Sequence, residues 1–113
     1  MPTKIIVEDK LVTAYLMGEI DHHSARGMRE EIDAAVERAV PELLIMDFSD
    51  VSFMDSSGIG LVLGRYRQMQ SLDGSLHLQN LGGQLYKVMR LAGIDRLVEI
   101  ERGKAGKIYE NHQ

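Results

Sequence analysis

Two adjacent hydroxyls and a carboxylate stand together in Asp55-Ser56-Ser57-Gly58, between the apolar run Leu43–Met46 and a stretch with helical spacing. A side chain at the start of a helix faces unpaired backbone N–H groups and the positive end of the macrodipole. The chemistry open to this tetrapeptide is therefore helix capping, the holding of a phosphate, or service as a phosphoacceptor. A second polar stretch, Asp21-His22-His23, precedes another helical segment and could join the first in space.

Enzymatic readings of these residues lack parts. A serine-hydrolase elbow needs G-x-S-x-G, and Met54 occupies the first glycine position if Ser56 is the nucleophile. His77 and His112 lie far from the loop in sequence, so a small serine hydrolase, the alternative from another class, lacks its imidazole. Gly58-Ile59-Gly60 has neither the G-K-[ST] of a P-loop nor dinucleotide-fingerprint spacing; its glycines suit close approach of another backbone. Asp21, His22 and His23 are consecutive, so their side chains diverge and no metal site is expected.

The elements that position these residues follow from patterning. Lys4–Glu8 and Leu11–Met17, separated by Asp9-Lys10, predict a β-hairpin. Met28, Ile32, Ala35, Val36 and Ala39 predict a helix over 25–40, capped by Asp21 or Ser24 and ended before Pro41. Leu43–Met46 reads as a central strand covered on both faces. Ile59, Val62, Leu63, Tyr66 and Met69 define the buried stripe of a second helix, with Gly74 as a left-handed cap and Leu61 left exposed beside Ser57. A strand over 76–79, a helix over 84–92 and a short strand over 97–100 complete an α/β order with right-handed crossovers. Asp21 and Asp55 should then meet at the carboxyl ends of neighbouring strands, near Ser56 and Ser57.

Composition narrows the partners. A chain of 113 residues reads as one domain, 1–113, with a polar tail after about residue 101 anchored only by Ile108 and Tyr109. The net charge of −4 disfavours nucleic acid; the basic residues are scattered except for Arg65 and Arg67 on one helix and a Lys/Arg-bearing tail from Arg102 to Lys107, and both of these read as solvated face. Nothing resembles a signal peptide or membrane span, and the absence of cysteine suits a cytoplasmic protein.

Asp21-His22-His23 followed by a helix, then Phe53-Met54-Asp55-Ser56-Ser57-Gly58-Ile59-Gly60 and Leu63-Gly64-Arg65-Tyr66, closely resemble the anti-sigma factor antagonists of the STAS family, over about Ile5 to Ile100. The resemblance implies the STAS fold, a mixed and mostly parallel β-sheet with helices packed against it. It implies a non-enzymatic protein without cofactor that binds an anti-sigma factor, itself an ATP- or ADP-bound serine kinase, and so frees a sigma factor. On this resemblance the kinase phosphorylates Ser57, the second serine, which releases the complex, and a serine phosphatase resets it. Asp21, His22, His23, Asp55, Ser56, Ser57, Gly58 and Leu61 are the expected partner-binding residues. The double histidine favours the sporulation type; a stress-response complex and a lipid-transporter module are the alternatives within the family. A monomer is the default expectation for the free chain.

Overall fold

β-branched Ile5, Ile6 and Val7 and the apolar residues from Leu11 onward favour extended backbone, and Lys10 takes the positive φ of 63° that a tight connection needs. In the computed structural model, which describes residues 3–103, these segments form β1 (Thr3–Glu8) and β2 (Leu11–Ile20), paired antiparallel from Glu8↔Leu11 to Thr3↔Leu16. The expectations for Ile108, Tyr109, His112 and the basic tail beyond Gly103 lie outside the described residues.

The remaining elements are α1 (His22–Ala39), β3 (Leu43–Met54), α2 (Ser56–Ser71), β4 (Ser75–Leu81), α3 (Gly83–Leu91), a 3₁₀ turn at Ile94–Arg96, and β5 (Glu99–Arg102). The sheet order is β1-β2-β3-β4-β5, antiparallel at the first pair and parallel thereafter, with β3 central as its apolar run predicts. Val12, Leu44 and Leu76 form one cross-strand row and Ala14, Met46 and Leu78 the next. Met28, Ile32 and Val36 of α1 and Val62 and Met69 of α2 bury against them in a single core. Each fully buried side chain of this size contributes about 1.5–3 kcal/mol.

Three expectations change. Leu43 and Ile45 are only half-buried, so β3 is fully covered on the Leu44–Met46 face alone. The strand expected over Leu43–Met46 runs on to Met54, because Gly18↔Val51, Glu19↔Phe53 and Ile20↔Met54 pair across two register irregularities. Strand pairing here overrides the local polar composition. At the end of α2 the positive φ falls on Asp73 (58°) rather than Gly74. Gly74 instead permits close approach, since a Cβ there would lie 2.9 Å from the Glu42 carbonyl oxygen and 2.6 Å from Met69 Cε.

The less covered face holds Asp47, 2% exposed. Its Oδ1 accepts from the Ser49 amide (2.9 Å) and hydroxyl (2.7 Å), and its Oδ2 from Gln79 Nε2 and Asn80 Nδ2 (both 2.7 Å), which ties β3 to β4. Burial pushes this carboxyl upward, but the Ser49, Gln79 and Asn80 bonds outweigh it and hold it below the usual carboxylate range. A depressed folded-state value means the stabilisation is complete above about pH 4, the unfolded value, and is lost as pH falls through the folded one. Asp47→Asn should therefore cost about 1–3 kcal/mol at pH 7, since its amide cannot accept from all of these donors, and should flatten the stability loss below pH 4. Urea unfolding at stepped pH measures both effects; parallel acid limbs for the two proteins would refute the assignment.

Candidate functional site

Ile20 and Met54 stand opposite each other where β2 and β3 end, and the Asp55 amide donates to the Ile20 carbonyl at 3.1 Å. Each strand is followed at once by an aspartate that caps a helix. Asp21 Oδ1 accepts from the His23 (3.0 Å) and Ser24 (2.8 Å) amides, and Ser24 Oγ accepts from the Asp21 amide (3.0 Å), a complete capping box. The Ser24 amide, followed by the Ser24 hydroxyl and His23, holds the Asp21 carboxyl below its ordinary value despite an opposing effect of burial. Asp55 Oδ1 accepts from the Ser57 amide at 2.7 Å and caps α2 in the same way. The caps are thus the two aspartates, each contributing about 1 kcal/mol. Ser56 and Ser57 are the first two residues of α2, and neither hydroxyl is needed to close its N-terminus.

The two hydroxyls differ in what they face. Ser56 is exposed, whereas Ser57 is half-buried on the wall of a groove of about 690 Å³ between α1 and α2. His22, His23, Arg26 and Arg29 of α1 and Gly60 and Leu61 of α2 line the same groove. Of the residues named from the sequence, it brings together Ser57, His22, His23 and Leu61. Asp21, Asp55, Ser56 and Gly58 do not line it; its wall carries two imidazoles, two guanidiniums and the Glu30 carboxylate, which lies 3.7 Å from Arg26, while the Asp55 carboxylate stays beside Ser57, held to its amide. Arg26 and Arg29 were missed, although they follow His22 at i+4 and i+7 on one helical face, a spacing legible in the sequence. Among the described residues no three His, Asp or Glu side chains converge as a metal site, and Ser57 Oγ has no hydrogen bond to either imidazole.

The phase of α2 also departs from expectation. Leu61 is 4% exposed and Arg65 6%, and the fully buried series is Gly58, Leu61, Val62, Arg65 and Met69; Ile59, Leu63 and Tyr66 are half-buried flanks. α2 packs on α1 as well as on the sheet, so its buried arc is wider than one stripe. An arginine and a glycine on that arc hide it from a count of apolar residues. Arg65 Nε lies 3.0 Å from Asp33 Oδ1 of α1 and 3.3 Å from Gln68 Oε1, so this arginine is a buried tie between helices and not solvated surface. Burial pushes its guanidinium downward, Asp33 pushes it upward, and Arg29 adds repulsion. Gly58 sits against Met54, whose Cγ and Sδ occupy the space a Cβ would need, so the close approach it permits is to a side chain. Gly60 has open space around it.

A second hollow of about 520 Å³, unmarked by any sequence motif, lies between the end of β3 and α3, with Phe48, Val51, Phe53, Leu85 and Val88 on its walls. It is mostly apolar and Phe53 is 52% exposed.

Comparison with known proteins places this geometry. The STAS domain model matches residues 4–113. The chain is 37% identical over 89 residues to the anti-sigma F factor antagonist of Lysinibacillus sphaericus, covering 79% of this chain and 76% of that one. It is 31% identical over 93 residues to the anti-sigma-B factor antagonist of Bacillus subtilis (strain 168), covering 82% and 84%. Among solved structures, the anti-sigma factor antagonist SpoIIAA in its unphosphorylated form superposes with a TM-score of 0.71 at 29% identity, over 96% of each chain. The Bacillus SpoIIAA in its phosphorylated form gives 0.70 at 29% identity, over 98% and 99%. With a family match across nearly all of its length and the five-stranded mixed sheet in the same architecture, the chain belongs to the STAS domain family.

Proposed function

We propose that this protein is an anti-sigma factor antagonist: it binds an anti-sigma factor that is itself an ATP- or ADP-bound serine kinase, frees the sigma factor, and is switched off when that kinase phosphorylates Ser57. The observation that carries this reading is the placement of Ser57, alone of the two serines, on the α1–α2 groove. Its hydroxyl is not needed to cap α2, which leaves it available for modification. The names of the relatives and the phosphorylated form of SpoIIAA support it. The protein is a substrate here, and the ATP-binding machinery belongs to the partner.

Electrostatics supplies the switch. A phosphate adds about −1.5 to −2 charges at neutral pH. In the free protein it meets the N-terminal end of α2 and a groove bearing His22, His23, Arg26 and Arg29, which favour an anion, and against them the Glu30 carboxylate paired with Arg26 and the Asp55 carboxylate on the Ser57 amide. In a closed, desolvated interface the same charge must be matched by the partner or weaken the complex. A serine phosphatase removes it and restores the binding form. This circuit places the protein in the cytoplasm, and among the described residues no helix is long and apolar enough to cross a membrane. Asp21-His22-His23 favours a sporulation circuit; identity to an anti-sigma-B factor antagonist keeps a general stress circuit as the second reading.

Incubation with the cognate kinase and ATP, followed by intact-mass measurement and site mapping, should give a single phosphate on Ser57. Phosphate on Ser56 or elsewhere would overturn the assignment. Ester hydrolysis that disappears in Ser56→Ala would support an enzyme instead.

A further inference from the structure

β1 is the outer strand of the sheet, and among the described residues no strand lies on its far side. Such an edge presents unpaired N–H and C=O groups that can template another strand. The edge here reads Lys4-Ile5-Ile6-Val7-Glu8, a β-branched apolar centre between opposite charges, with Ile6 37% and Val7 55% exposed. The two-residue connection Asp9-Lys10 makes Glu8↔Leu11 a hydrogen-bonded pair, so by alternation Thr3, Ile5 and Val7 turn their backbone groups outward.

We infer that this edge pairs antiparallel with the same edge of a second copy of the chain, about a two-fold axis at Ile6. In that register Ile5 faces Val7 of the second copy, both with outward backbone groups. Lys4 faces Glu8 of the second copy, and symmetry makes this ion pair twice. Sliding the strands by two residues in one direction sets Lys4 against Ile6, and in the other sets Glu8 against Ile6, so charge selects the register. Many edge strands carry charges that repel a second edge; here the charges at the two ends complement one another.

The adjacent helix obeys the same symmetry. Glu31, Ala34, Ala35, Arg38 and Ala39 of α1 flank Ile5 and Val7 around a hollow of about 480 Å³. The axis through Ile6 directs Glu31 of one copy toward Arg38 of the other, and the alanines between them allow the two helices to approach. A different set of α1 residues, His22, Arg26 and Arg29, lines the Ser57 groove, so pairing leaves both grooves open. The pair is a two-headed antagonist, and its formation does not depend on phosphorylation. The monomer expected by default takes no account of this edge.

Sedimentation equilibrium on the full chain from about 10 µM to about 1 mM should show the mass rising from one chain to two. Lys4→Glu and Glu8→Lys, at exposed positions, should each weaken the pair by about tenfold or more while leaving circular dichroism unchanged. The double variant Lys4→Glu/Glu8→Lys re-forms both ion pairs in reverse order and should restore the dimer. A wild-type chain that stays monomeric throughout, a dimer indifferent to the single variants, or a folded double variant that fails to recover would each overturn the inference.

Discussion

Ser57→Ala should bind the anti-sigma factor as tightly as the wild type and take up no phosphate, whereas Ser57→Asp should bind about 10- to 100-fold more weakly. The alanine removes only a hydroxyl from the groove wall, and α2 keeps its cap because Asp55 bonds the Ser57 amide, not the side chain. On the proposed function, the aspartate puts a charge where the partner closes. In the free protein that charge sits in the first turn of α2, where the macrodipole favours it by about 0.3–1 kcal/mol, so the melting temperature should hold or rise slightly. Loss of affinity without loss of stability separates an interface effect from a folding defect. Calorimetric titration of the two variants with the anti-sigma factor decides it; equal affinities would remove charge as the basis of the switch.

Leu61→Ala should destabilise the protein by about 2–4 kcal/mol. At about 4 °C per kcal/mol for a chain of this size, the melting temperature should fall by about 8–16 °C. The leucine is 4% exposed, belongs to the main core and follows Gly58 on the arc where α2 meets α1. A docking residue on open surface, the role the sequence suggests for it, would weaken partner binding and leave melting untouched. Leu72→Ala, at the exposed end of α2, provides the contrast and should change stability by less than about 0.5 kcal/mol. Equal melting temperatures for Leu61→Ala and the wild type would show that the position is not packed as described.

The element order was legible because it rests on local signals: β-branched runs, the i, i+3/i+4 series Met28, Ile32 and Val36, and Pro41 after a helix end. Cap identity was half legible. Asp21 was one of two candidates and caps α1 with Ser24 as its reciprocal partner, while Asp55 takes from the serines the role that a serine at a helix start usually plays. The lengths of β2 and β3 were not legible, because Asp50–Phe53 is extended only by pairing with residues more than thirty positions away. The phase of α2 was hidden by Arg65, whose burial depends on Asp33 of another helix.

By itself the sequence determined that Asp55-Ser56-Ser57-Gly58 joins a central strand to a helix, that Asp21-His22-His23 does the same one strand earlier, and that both motifs resemble one family. Capping, turn and periodicity preferences act over a few residues, so a single stretch contains the information. Only the tertiary structure decided which serine lines a groove and what surrounds it. That outcome depends on how α1 crosses α2, which is set by the Ile20↔Met54 register, the fit of Gly58 over Met54 and the Arg65–Asp33 tie. Each of these joins residues from different elements, and so Ser57 shares a groove with His22, His23, Arg26, Arg29 and Glu30 of another helix in addition to the Asp55 carboxylate that its own segment supplies.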